Sequence, residues 1–164
     1  MPMKSEKGLE TLFVEGLKDL YYAEKKILKT LPKLAKAAES EQVSAAFEKH
    51  RMETERQVER LEQVFEQLGK PARGKTCPAI DGILEEGSEV LEEYKGAPAL
   101  DAGLVGAAQA VEHYEIARYG TLIGFGHRCD WYHRIGWLFY MEVGLHRYSH
   151  RSTMRLRTST GAAC

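Results

Sequence analysis

The stretch VEHYEIA, residues 111–117, decides the fold class because it places carboxylates inside an apolar helical pattern. From Leu100 to Leu122, small and apolar residues recur at three- and four-residue steps, which predicts a helix with one buried face. Glu112 and Glu115 fall on that face, in one series of helical neighbours: Ala108, Glu112, Glu115, Tyr119 and Leu122. A carboxylate that faces a core is costly unless it is paired, protonated or bound to a cation. Two carboxylates on one buried face therefore indicate a cation.

Three further helices are predicted before this one. Ser5 is suited to cap the first helix, which should continue through a kink at Pro32, since proline removes a backbone donor. Ser40 is the predicted cap of the second helix, and Gly69 follows its end. A shorter helix is predicted after Thr76, with proline in its first turn.

Strand signals are lacking in the first 125 residues, which show neither period-two alternation nor a two-residue hairpin turn. The first two helices, at about 30 residues each, would be about 45 Å long and form an antiparallel hairpin. The expected architecture is an all-α antiparallel helical bundle with an additional short helix. A chain of 164 residues is long enough for one domain with a substantial core.

The composition favours a cytoplasmic protein without nucleic acid or a membrane as partner. A net charge of −1 gives no general reason to expect nucleic acid or an anionic membrane as partner. Three widely spaced cysteines argue against a disulfide scaffold and favour a reducing compartment. The N-terminus lacks the apolar stretch of a signal peptide, and no run reaches the roughly 18 apolar residues of a membrane span.

The sequence changes character near residue 125. Residues 1–125 carry a net charge of −5 and twelve lysines, whereas residues 126–164 carry a net charge of +4, six arginines and no lysine. We therefore divide the chain into a helical bundle, residues 1–125, and an atypical, partly disordered tail, residues 126–164. The six arginines raise a weak hypothesis of nucleic-acid binding, without interleaved structure to support it.

Candidate metal ligands occur on three of the predicted buried stripes. In metal-binding bundles, such side chains project from several helices toward one centre. Carboxylates with an imidazole suit iron or manganese, and a bridging carboxylate can hold two such ions. The candidates are Glu24 on the first helix, His50 and Glu53 on the second, and Glu112 and Glu115 on the last.

Each candidate also has a purely structural interpretation. Glu24 could flank the stripe with its head in solvent, because glutamate is rarely buried unless it is paired. His50 could be a hydrogen-bonded core histidine. The joint occurrence of inward carboxylates on three helices favours the metal site.

Three blocks of the chain resemble the YciE/YciF-type stress proteins, a branch of the ferritin-like superfamily. They are LETLFVEGLKDLYYAEKKILKTLPKLAKAAES (9–40), VSAAFEKHRMETERQVERLEQVFEQLG (43–69) and AAQAVEHYEIARYGTL (107–122). The resemblance covers roughly residues 7–123. It implies a ferritin-like bundle, a homodimer and a di-iron-type site at Glu24, His50, Glu53, Glu112 and Glu115.

The tail departs from this family. A fourth core helix with further acidic ligands should follow residue 122, but it is missing or replaced here. The abrupt change in composition suggests a reading-frame change near residue 125. Glu142, His146 and His150 stand at helical spacing and remain further candidate ligands.

Two functions therefore remain open from the sequence. The first is a di-metal carboxylate protein of the bacterial stress-response type, which oxidises Fe(II) or removes peroxide. The second is a non-catalytic helical stress or assembly protein without bound metal, whose inward carboxylates are paired or solvated.

Overall fold

A computed structural model describes residues 7–128, and this part of the chain contains four helices and no strand. Helix α1 spans Leu9–Ala37, α2 spans Glu41–Gln67, α3 spans Pro78–Glu93 and α4 spans Leu100–Arg128. The long helices α1 and α2 form a hairpin, and the shorter α3 packs against α4. The predicted all-α antiparallel bundle with an additional short helix is confirmed. The predicted absence or replacement of a fourth core helix concerns residues outside the described range.

The helix starts follow local chemistry with small differences from the sequence prediction. Ser40 precedes α2 as predicted, with extended backbone at the cap position. Cys77, not Thr76, is the cap residue of α3, because Pro78 occupies the first helical position, where its missing N–H costs nothing. Helix α1 begins after Gly8, and the predicted cap Ser5 lies outside the described residues.

Two helix ends show how packing and backbone geometry compete with local sequence. Gly69 has a φ of 64°, the left-handed conformation that closes α2 and that glycine adopts without strain. Helix α4 continues through Gly124 and Gly126 to Arg128, although the sequence pattern fades after residue 123. Gly126 is buried near the ring of Phe13, and Phe125 packs against the same apolar cluster. Tertiary contact therefore supports this last turn where the apolar period no longer does.

The core consists of two apolar clusters along the bundle, with α1 contributing to both and packing against the other three helices. One cluster contains Phe13, Leu17, Leu20, Leu61, Phe65 and Leu122 among its members. The other contains Ile27, Leu31, Phe47, Ile80, Leu104 and Val111. Full burial of one such side chain contributes about 1.5–3 kcal/mol to folding.

Three of the helices carry buried polar side chains close to the point where one apolar cluster gives way to the other. On α1, Glu24 lies close to the point where the two apolar groups meet, directly after Ala23, and Glu115 separates them on α4. On α2 the same interval carries buried His50, Thr54 and Gln57. Polar groups at matching levels of three helices define a polar layer, and the candidate site lies in it. None of the helices in the described part of the chain is apolar enough over a sufficient length to span a membrane.

Candidate metal centre

His50, Glu112 and Glu115 form a compact group between α2 and α4. The Nδ1 atom of His50 lies 3.6 Å from Oε1 of Glu112, and its Nε2 atom lies 3.6 Å from Oε2 of Glu115. One potential ligand atom from each of the three residues lies within 4.8 Å of those of the other two. The group brings together three of the five predicted ligands.

Helical spacing explains how the group forms. Glu112 and Glu115 are three residues apart on α4, so their side chains emerge from one face about a turn apart. The side chain of Glu115 is completely buried, whereas that of Glu112 is 18% exposed. The imidazole of His50 enters between them from α2. One end of the group is therefore closed off from water and the other reaches the surface.

The surrounding charges decide the protonation state of His50. Burial favours the neutral imidazole, but contact with Glu115 and the negative charges of Glu115, Glu112 and Glu53 outweigh it. Together they raise the pKa of His50 to about 9. Without metal, the imidazole therefore carries a proton at neutral pH and is itself the cation between two carboxylates.

The hydrogen bonding of Glu115 is incomplete. Neither of its carboxylate oxygens has a hydrogen-bond partner among the described residues, and His50 at 3.6 Å is beyond ordinary hydrogen-bond distance. The Nε2 atom of His50 is also buried and has no hydrogen-bond partner among the described residues. Buried charged groups without close partners are costly. A divalent cation held by carboxylate oxygens and one imidazole nitrogen would satisfy these atoms, so the donor set fits iron or manganese.

Glu24 is buried on α1 and held by a tyrosine from α4. The hydroxyl of Tyr119 donates a hydrogen bond of 2.9 Å to Oε1 of Glu24, and both residues are buried. Glu24 is not one of the three residues that meet within 4.8 Å. The sequence placed Tyr119 on the buried stripe only as an apolar residue. Its position four residues after Glu115, on the same face, was the signal for a polar role.

Glu53 occupies a more exposed position than its neighbours in the candidate set. Its side chain is 20% exposed, and Oε1 lies 3.7 Å from Nζ of Lys49, one turn earlier on α2. It stands outside the group of three but close enough for its charge to act on His50.

Thr54 is a second polar residue whose role the sequence did not reveal: its hydroxyl is buried and has no hydrogen-bond partner among residues 7–128. Glu142, His146 and His150 lie outside the described residues.

Fold and site together define a class of protein: a ferritin-like helical bundle whose core carries a cluster of potential metal-ligand side chains. The family model described as Domain of unknown function (DUF892) matches residues 8–132, more than half of the chain, and the chain belongs to this family. This result agrees with the resemblance of its sequence blocks to the YciE/YciF-type proteins.

Individual relatives support the same assignment. Protein YciF of Escherichia coli (strain K12) is 44% identical over 117 residues, which cover 71% of this chain and 70% of that protein. The crystal structure of the E. coli stress protein YciF matches with a TM-score of 0.85 and 36% identity, covering 92% of this chain and 94% of that one. YcfI from Rhodopseudomonas palustris matches with a TM-score of 0.86 and 38% identity, covering 98% and 99% of the two chains.

Proposed function

We propose that this chain is a di-metal carboxylate protein of the bacterial stress-response type, which binds iron or manganese in its polar layer. The observation that carries the proposal is the completely buried carboxylate of Glu115, which lacks a hydrogen-bond partner among the described residues. The imidazole of His50 lies 3.6 Å from this carboxylate and also faces Glu112. A cation at this point would convert a costly arrangement into a satisfied one.

Each candidate residue has a part in this proposal. His50, Glu112 and Glu115 would hold a first ion, and Glu24 and Glu53 are the proposed further ligands. Tyr119 would orient Glu24 through its hydrogen bond, because a ligand held by a second residue needs less ordering when the ion arrives. The apolar clusters on either side would limit access of water. When bound, two ferrous ions would each give one electron to dioxygen or to peroxide, which would oxidise the iron and reduce the oxidant.

One observation favours the second function, a non-catalytic helical stress or assembly protein. A protonated His50 already places a positive charge 3.6 Å from each carboxylate, so the cluster can be charge-compensated without metal. In that case the group would be a buried ion triad, which is costly to break but adds little net stability relative to apolar side chains of similar volume.

Metal binding to the purified full chain separates the two functions. We expect Fe(II), added without oxygen, and Mn(II) each to bind with heat change in calorimetry and to raise the melting temperature, because the ions bind only the folded chain. Glu115→Gln should abolish this binding. Glu85→Gln, at an exposed position of α3, is the matched control and should bind like the unaltered chain. Equal binding by both variants, or none by the unaltered protein, would favour the non-catalytic function.

A cytoplasmic homodimer is part of the same proposal. Dimer formation is supported by large apolar side chains on the outer surface of the bundle, since Leu12 and Met52 are each about half exposed. Light scattering of the purified chain should give twice the monomer mass, and Leu12→Lys with Met52→Lys should shift the mass toward that of one chain.

A further inference from the structure

Beside the His–Glu–Glu cluster lies a small apolar cavity to which all four helices contribute. It has a volume of about 20 Å³, and Ile27, Leu31, Phe47, Ile83, Ala107 and Val111 are among the residues around it. His50 is also a lining residue, so one imidazole borders both the cavity and the candidate metal centre. The cavity, which is partly open to the surface, therefore adjoins the candidate metal centre.

The chemistry of the cavity selects its occupant. A volume of this size admits one molecule about as large as water, but water is retained only where it finds several polar partners. Among the described lining residues, Thr30 alone has a polar side chain besides His50. A divalent ion would lose its hydration there without replacement and is excluded. An uncharged, apolar diatomic molecule fits both the size and the lining.

We propose that this cavity binds dioxygen and delivers it to the centre past His50, whereas cations reach the centre from the side of Glu112, which is partly exposed. The role in delivery rests on the proposed function, but binding of the gas does not. In the reaction that delivery would serve, one dioxygen takes one electron from each of two ferrous ions. It also takes two protons from solvent, which gives hydrogen peroxide and two ferric ions.

Close packing limits which residues can be altered to test this. A Cβ atom at Gly87 would lie 3.3 Å from Cβ of Ala107, so the wall between α3 and α4 has little room at that point. Ala108 is a half-buried lining residue on α4, and Ala108→Leu should fill the cavity. Ala102→Leu, at an exposed position of the same helix, is the matched control. Ile83→Val removes one methyl group from the wall and should enlarge the cavity.

Gas binding is measured on the metal-free protein. Dissolved dioxygen is paramagnetic and increases the relaxation rate of nearby methyl protons, which are resolved by NMR. We expect a larger increase at Ile27, Leu31 and Val111 than at Leu17, Leu61 and Val64, which are also buried but belong to the other cluster. Ala108→Leu should abolish the excess, Ala102→Leu should keep it, and Ile83→Val should enlarge it.

Equal relaxation in the two clusters of the unaltered protein would overturn the proposal. If Ala108→Leu does not fold, Ile83→Val is the deciding variant, and an unchanged relaxation excess in it would overturn binding in the cavity.

Delivery is tested by mixing the Fe(II)-loaded protein with dioxygen. Ala108→Leu should slow oxidation without changing Fe(II) affinity, and an unchanged rate in a variant that no longer binds gas would overturn delivery. Failure of the proposed function would appear separately, as absence of Fe(II) binding.

Discussion

At the scale of single residues, the polar layer combines a high cost with a specific geometry. Glu24 and Glu115 are both completely buried, and glutamate is rarely so unless it is paired. The two carboxylates have different partners: Glu24 accepts a hydrogen bond from Tyr119, whereas Glu115 faces His50 at 3.6 Å. Each of these two contacts carries a prediction, one for the hydroxyl of Tyr119 and one for the charge of His50.

Tyr119→Phe should destabilise the metal-free protein by about 1.5–3 kcal/mol, the usual range for a hydrogen bond to a charged group. The substitution removes only the hydroxyl that donates to Glu24 and leaves the buried ring in place. Urea denaturation of the unaltered and substituted proteins measures the difference. Tyr21→Phe is the control, because the hydroxyl of Tyr21 donates to the exposed Glu62 and should contribute less. A larger loss in the control would show that the buried pair is not special.

The stability of the metal-free protein should fall as the pH rises from about 6.5 to about 9. The pKa of His50 is raised from 6.5 to about 9 in the folded chain by Glu115, Glu112 and Glu53, against the opposing effect of burial. A group whose pKa is higher in the folded state adds stability that is fully present below its unfolded pKa. That stability is lost as the pH rises through the folded pKa, here by on the order of 3 kcal/mol.

The measurement is denaturation in the presence of a chelator at a series of pH values. His50→Gln cannot titrate and should show a much flatter dependence over the same range. A slope that is equal in both proteins would place the titrating group elsewhere.

At the scale of helices, the joint between α1 and α2 depends on a side chain from α4. The carboxylate of Asp101 accepts hydrogen bonds from the backbone N–H groups of Glu39, at 2.9 Å, and Ser40, at 2.7 Å. These groups lie in the short turn just before α2 and would otherwise need water. Asp101 thus holds the start of α4 against the hairpin turn of the other two long helices.

Asp101→Ala should therefore cost about 1.5–3 kcal/mol of folding stability, because two backbone donors lose a charged acceptor. Hydrogen exchange should accelerate most at residues 38–44, next to the turn. Asp81→Ala is a comparison on α3, where the carboxylate is partly exposed and contacts Tyr22 and Lys26 at the surface. If exchange accelerates evenly over all four helices, the Asp101 contact does not act locally.

At the scale of the whole molecule, the polar layer joins helices that are remote in sequence. His50 comes from α2, the carboxylates of the cluster come from α4, and the apolar cavity beside them is bordered by all four helices. The site therefore exists only when the hairpin of α1 and α2 is packed against the pair of α3 and α4.

A chain shortened after Arg128 should bind metal about as the full chain does. All five proposed ligands lie in the helices of residues 7–128, and α4, which carries two of them, is described as far as Arg128. Calorimetry with Mn(II) on both chains, with circular dichroism to verify equal helicity, measures this. Loss of binding in a shortened chain of unchanged helicity would show that residues 129–164 supply ligands, with Glu142, His146 and His150 as the candidates.

The sequence by itself determined the helices and the identity of the polar residues on their inner faces. Apolar residues at three- and four-residue steps require a helix that buries one face, and this local rule places Glu24, His50, Glu112 and Glu115 inward without knowledge of the partners. The predicted kink at Pro32 and the predicted frame change stay predictions. The helix α1 continues past Pro32 to Ala37, and the described part of α4 runs three residues into the tail.

Only the tertiary structure decided which inward residues meet. Helical period fixes the direction of a side chain but neither the level at which two helices pack nor the rotamer of a long side chain. Packing brings His50 between Glu112 and Glu115 and places the hydroxyl of Tyr119 against Glu24. Glu53 stays partly exposed, beside Lys49. The cavity next to His50 was likewise invisible in the sequence, because a void depends on how small and large side chains from four helices fit together.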